Sequence, residues 1–182
     1  MKTQTKKFIA YLNLLGEKID GREFESRIKA QKLAYITQKI TGKALYEFNF
    51  YIRGPYSKEL AREYFDFREE FLRGDSGDSK ISKEESEDLV RVKPLLTSLN
   101  QKDLEIVASL LYLKDKGLDE DQAEIKLKEL KPHLKSEDIW RGSNIIKKLF
   151  LTEKLRAAIM SSLVKETDEW DTISNESLRK FE

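Results

Sequence analysis

The chain contains no cysteine and a single histidine, His133. The first absence excludes disulfides, thiolate nucleophiles, Cys-ligated zinc and iron–sulfur clusters. With one histidine, a metal site would have to draw nearly all its ligands from carboxylates. Asp75 and Asp78 share one loop and Asp119-Glu120-Asp121 another, but neither set has the ligand periodicity of a calcium loop with its terminal bidentate glutamate. They read as loop carboxylates and helix caps, and no metal or cofactor is expected. Also missing are a G-x-S-x-G nucleophile motif and a phosphate-cradling glycine pattern, since Gly74 and Gly77 stand in a polar loop. No apolar run approaches the length of a bilayer-spanning helix. The basic start, Met1 to Lys7, leads into an amphipathic stretch that does not resemble a signal peptide. These features lead to the expectation of a cytoplasmic protein with no membrane partner.

An excess of one charge is lacking too. Lys and Arg number 34 against 33 Asp and Glu, so the net charge is +1. Charged residues nevertheless make up 37% of the chain, which suggests solvated helix faces carrying paired signs and not a counter-ion for a polyanion. Such a composition also suits a protein that works hot, where ion-pair networks are favoured. No carboxylate pair stands out from the 33 acidic residues as an acid and base, so the expectation is a protein without enzymatic activity.

What is present is mostly helical periodicity. Phe8, Leu12, Leu15 and Ile19 predict a first helix over about 4–19, and Ile28, Leu33, Ile36 and Ile40 a second over about 25–41, ended by Gly42. Leu60, Tyr64, Phe67 and Phe71, widened by Phe65, predict one helix after Ser57 as N-cap. Ser82 to Glu85 and Asp119 to Gln122 read as capping boxes. Pro94 should end or kink the helix that Ser82 opens. The helix at about 101–116 is apolar nearly all round, which marks a central element. Further helices are expected at about 120–131, from Ser136 (with Ile139, Trp140, Ile146 and Leu149 inside), and beyond Thr152, where Leu155, Ile159 and Leu163 form a stripe. The fold class is mainly α: a multi-helix single domain with one small β element near residues 46–52. Residues 1–73 form an N-terminal part, 80–165 a C-terminal part of the same domain, and 166–182 an acidic tail. The joint is the polar loop from Arg73 to Ser79.

The exception to helix is the run from Tyr46 to Ser57. Tyr46, Phe48, Phe50 and Ile52 fall on one face of an extended segment, and Glu47, Asn49 and Tyr51 on the other. Gly54-Pro55 then forces a turn. A partner strand for this segment is expected near Lys80-Ile81, or failing that in a second copy of the chain or a protein partner. Arg53, Tyr56 and the outward Tyr51 gather at the turn, and Arg and Tyr dominate binding hot spots. The plainer alternative is that Arg53 pairs with a carboxylate while Tyr56 packs over the second helix. The candidate partner-binding set is Lys32, Tyr35, Tyr51, Arg53, Gly54, Pro55, Tyr56 and Ser57, and the expected partner is a protein.

A competing reading is nucleic-acid binding. Residues 120–150 can be laid out as a helix-turn-helix whose last helix offers Arg141, Asn144, Lys147 and Lys148. Against it stand Glu137 and Asp138 in that helix's first turn, Pro132 in the turn, and the near-zero net charge.

Lys32-Leu33-Ala34-Tyr35, the aromatic segment after it, and Gly54-Pro55-Tyr56-Ser57-Lys58-Glu59-Leu60 together resemble the pattern of bacterial and archaeal YwgA-like proteins. More distantly they are similar to the Panacea (SocA-like) domain, with its K-L-x-Y helix and G-P turn. The stretch from Leu104 to Leu113, followed by Glu129 to Pro132, is similar to the C-terminal helices of the closer group. Ala34 departs from the pattern, which commonly has a larger aliphatic there. The Panacea resemblance implies a mainly helical antitoxin, or an adaptor for a toxin, chaperone or protease.

Overall fold

The computed structural model describes residues 1–151. The helix expected beyond Thr152 and the acidic tail lie outside the described residues. Met1–Leu149 forms one compact unit; of a second, Phe150–Glu182, only Phe150 and Leu151 are described. Among the described residues the chain is mainly α, with eight helices and one two-stranded sheet. In order these are α1 (Thr3–Leu15), α2 (Phe24–Thr41), β1 (Asn49–Tyr51), β2 (Gly54–Tyr56), α3 (Lys58–Asp66), α4 (Arg68–Arg73), α5 (Lys83–Ser98), α6 (Gln101–Asp115), α7 (Glu120–Leu130) and α8 (Ser136–Leu149). None of these helices is long and apolar enough to cross a membrane.

Helix α6 is central, as its all-round apolar character predicts. Leu104 and every residue from Ile106 to Leu111 are buried. Around it pack α2, α7, α8 and β2, while α1 and α2 lie against α5. Helices α6 and α8 approach tightly at Gly142 of α8. A Cβ there would come within 2.4 Å of the Ile106 Cγ2 methyl and 3.2 Å of Leu110, so only glycine lets the two helices meet at this spacing.

Helix ends follow local chemistry. Asn100 caps α6, and both capping boxes form as read. Helix α1 is shorter than its apolar stripe suggests. Gly16 takes a left-handed φ of 77°, its N–H bonds Asn13 O, and Glu17 N–H reaches back to Leu12 O, a Schellman ending. Ile19 is still fully buried, but from the loop that follows. Pro94 does not stop α5. Pro94 and Val90, whose carbonyl loses its donor, both lie on the exposed face, where water can take that bond. The single helix expected over Leu60 to Leu72 breaks at Phe67 (φ −119°, ψ 41°), within an aromatic-rich stretch that favours helix poorly. Phe65 is exposed and not part of the core, and Trp140 and Leu130 likewise point outward. Trp140 stands one residue off the buried stripe of α8 formed by Ile139, Gly142, Ser143 and Ile146.

The β element is a hairpin. Three residues, Asn49 to Tyr51, pair antiparallel with Gly54 to Tyr56, in the register Asn49↔Tyr56, Phe50↔Pro55, Tyr51↔Gly54. The partner strand is thus the Gly-Pro segment itself, neither Lys80-Ile81 nor another chain. Ile52 and Arg53 form the tip. Among the described residues none other than glycine has a positive φ, and in the hairpin the left-handed angle falls on Gly54 at 83°. Ile52 is 92% exposed, in contrast to its expected place beside Tyr46, because the chain has already turned there.

Gly142→Ala should lower unfolding free energy by about 1–3 kcal/mol, the usual cost of overpacking a tight contact. Urea denaturation measures it, and an unchanged midpoint would show that α6 and α8 are free to separate.

Candidate functional site

The hairpin is anchored by α2. Gln31 bonds the backbone of Ser57 twice, accepting from its N–H at 2.7 Å and donating to its carbonyl at 3.0 Å. One residue on, Lys32 Nζ donates to Pro55 O at 2.7 Å. Pro55 has no N–H, so Phe50↔Pro55 must be the non-hydrogen-bonded pair of the ladder, which turns the Pro55 carbonyl outward toward α2. Ser57 is buried and caps α3 by accepting from Leu60 N–H at 3.3 Å. Gly54 is required twice over. Besides its positive φ, a Cβ there would fall 2.4 Å from Ser109 Oγ on α6.

This docking leaves a groove of about 470 Å³ between the start of α2, the hairpin tip and the end of α3. Its apolar surface comes from Phe24, Tyr51, Ile52, Tyr56 and Phe65, and its cations are Arg27, Lys32 and Arg53. The rings of Tyr51 and Tyr56 sit 5.2 Å apart as diagonal neighbours across the strands. The Arg53 guanidinium lies 5.6 Å from the centre of the Phe24 ring. Arg27 approaches the same ring at 5.6 Å and Phe65 at 5.4 Å. Ten large apolar side chains are exposed among the described residues, and four of them (Phe24, Tyr51, Ile52, Phe65) border this groove. Singly exposed apolar residues need no explanation, whereas a cluster marks an interaction site.

Lys32 forms the floor and is 2% exposed. Burial pulls its ammonium from the ordinary 10.5 down to about 7; Glu105 opposes this, while Lys131 and Arg53 add to it. Glu105 takes an ion pair from the buried Lys131, and its other oxygen lies 4.0 Å from Arg53 Nη1. Arg53 therefore has a carboxylate nearby, as the plainer reading required, but at the outer limit of pairing and with the side chain 52% exposed.

The structure thus brings Lys32, Tyr51, Arg53, Gly54 and Tyr56 to one groove, with Pro55 and Ser57 anchoring it from behind. Tyr35 stands apart. Its ring packs 5.0 Å from Phe48, and its hydroxyl donates to Asp115, on a different surface shared with Tyr112 and Lys39. Sequence reasoning missed Phe24, Arg27 and Phe65. The available signal was Phe24 and Arg27 at i, i+3 in the first turn of α2.

Two other surfaces show compensated charge. A larger open depression of about 740 Å³ holds Lys2 paired with Glu59 at 2.5 Å, beside Arg62, Glu63 and Asp66. On α8, Arg141 is held by Asp103 at 2.7 Å and Asp138 at 3.1 Å, and Lys147 by Glu120 at 2.6 Å. These two belong to the set suggested for nucleic acid, with Asn144 and Lys148 beside them. No family model matches the chain, and comparisons with curated proteins and with solved structures give no significant match.

Lys32 yields a pH prediction. Its folded value is depressed, so below about pH 7 both states carry the proton and the burial cost is borne in full. Between about 7 and 10.5 the unfolded chain holds the proton that the folded chain has released, so stability contributed here rises with pH. The unfolding free energy of the wild type minus that of Lys32→Met should therefore climb by roughly 1 kcal/mol per pH unit between about pH 7.5 and 9.5. A flat difference would place the Lys32 ammonium in contact with solvent.

Proposed function

We propose that this protein is a non-enzymatic interaction module that binds a protein partner through the groove beneath the hairpin tip. The observation that carries this reading is the clustering of exposed Phe24, Tyr51, Ile52 and Phe65 with Arg53 on one concave surface. Aromatic and Arg side chains over an apolar depression are the usual make-up of a binding hot spot. The supporting elements hold these side chains in place. Gln31 and Lys32 tie down β2, and Gly54 presses against α6, so the groove needs little ordering when a partner arrives. The similarity of Lys32 to Tyr35 and of the Gly54-Pro55 turn to the K-L-x-Y helix and G-P turn of the Panacea pattern supports a regulatory role of the antitoxin or adaptor kind.

Affinity capture with matched variants tests the site. A protein recovered from the native cell extract by the wild type should also be recovered by Arg141→Ala. It should be lost, or fall at least about tenfold, with Arg53→Ala and with Ile52→Asp, since hot-spot truncation costs about 2 kcal/mol or more. Equal recovery by all four proteins, each folded by circular dichroism, would remove the groove as the binding site.

A further inference from the structure

Most cations of the described surface that make a polar contact are matched to a carboxylate. Lys7 pairs with Glu85, Lys29 with Glu17, Lys39 with Asp115 and Lys102 with Asp138, in addition to those on α8. The groove breaks this pattern. Arg27 spends its hydrogen bonds on the carbonyls of Gly21 and Arg22, at 3.1 and 2.9 Å, and makes no ion pair. Lys32 Nζ has one acceptor, the Pro55 carbonyl, for its three donors. Arg53 reaches only Glu105, at 4.0 Å, and Lys131 already claims that carboxylate. None of the residues lining the groove is acidic. In a protein with a net charge of only +1, three basic side chains therefore meet on one apolar depression lined by no carboxylate, and Glu105, the carboxylate that Arg53 reaches, is shared with Lys131.

Both guanidiniums lie 5.6 Å from the centre of the Phe24 ring, so the two cations and the exposed aromatic form one continuous patch. Both retain N–H donors suited to a bidentate carboxylate. We infer that the groove recognises an acidic–apolar peptide segment of its protein partner. One large apolar side chain of the segment enters between Phe24, Ile52 and Phe65, and flanking carboxylates meet Arg27 and Arg53. This rests on the binding role proposed above and specifies its ligand. A purely apolar ligand would leave the cations desolvated and unmatched, and a basic one would be repelled.

Fluorescence anisotropy with four labelled peptides tests the inference: DELFEE, its uncharged counterpart NQLFQQ, the basic KKLFKK, and DEGGEE, which lacks the apolar pair. DELFEE should bind the wild type and Arg141→Ala alike, at least about tenfold more tightly than the other three, and more weakly as salt rises. Arg27→Gln and Arg53→Gln, which keep the side-chain stems, should each weaken DELFEE by about tenfold, the usual effect of losing a charged hydrogen bond. The inference is overturned if DELFEE fails to bind or binds no better than NQLFQQ. It is equally overturned if both Gln variants bind DELFEE like the wild type, or if vesicles of anionic phospholipid are bound while DELFEE is not. Loss of partner capture by Ile52→Asp together with equal binding of DELFEE and NQLFQQ would leave the site standing and refute only the acidic ligand.

Discussion

The clamp of Gln31 and Lys32 on the backbone of β2 is the interaction on which the functional surface depends. A two-stranded hairpin of three residues per strand has no stability of its own in water. Here its inner strand is completed by side chains. Gln31 answers both backbone groups of Ser57, and Lys32 takes the Pro55 carbonyl that the ladder leaves unpaired. All of these groups are buried, so each missing bond would cost a full desolvation penalty. Two adjacent polar residues on a buried helix face would ordinarily be a liability. They are tolerated because the hairpin supplies their partners, and the hairpin holds its shape because they supply its own.

From that clamp the rest of the groove follows. Fixing β2 against α2 and α6 sets the tip at Ile52-Arg53, above the N-terminal turn of α2. Ser57 then starts α3 at a fixed place, and α3 carries Tyr64 and Phe65 to the opposite wall. Tyr64 and Phe65 are consecutive on α3 and so point to different sides, Tyr64 into the core and Phe65 outward. Burying Lys32 beneath the groove costs folding energy, visible in its lowered proton affinity, to which Lys131 and Arg53 add. Local instability of this kind is common at binding and catalytic sites.

Much of the helical framework was legible in the sequence because it rests on local signals. The Ser82 and Asp119 capping boxes, the Gly42 terminus and the all-round apolar α6 each announce themselves within a few residues. The misreadings occurred where tertiary contacts overrule a periodic pattern. Ile19 fitted the stripe of α1 by coincidence of spacing, and the Schellman glycine had already ended the helix. Ile52 fitted the strand alternation, but the hairpin turned one residue earlier. The residues from Arg53 to Ser57 were readable as a functional turn from their chemistry. The pair Phe24 and Arg27, linked by helical spacing, and Phe65 were not, because they join the site only when α2, the hairpin and α3 are folded together, and no sequence spacing links Phe65 to the other two. Tyr35 shows the converse. It lies three residues from Lys32 on α2, yet its hydroxyl bonds Asp115 and its ring packs on Phe48, away from the groove.

Pro55 has one more consequence. Slipping the hairpin by a single residue would move proline into a hydrogen-bonded position, where it has no donor to give. The register is therefore locked chemically, in a strand far too short to be locked by hydrophobic alternation. The outer side of β2 is closed for the same reason: its one outward N–H is missing and its outward carbonyl is occupied by Lys32. The sheet has a sealed margin on that side, and a further strand could be added only alongside β1.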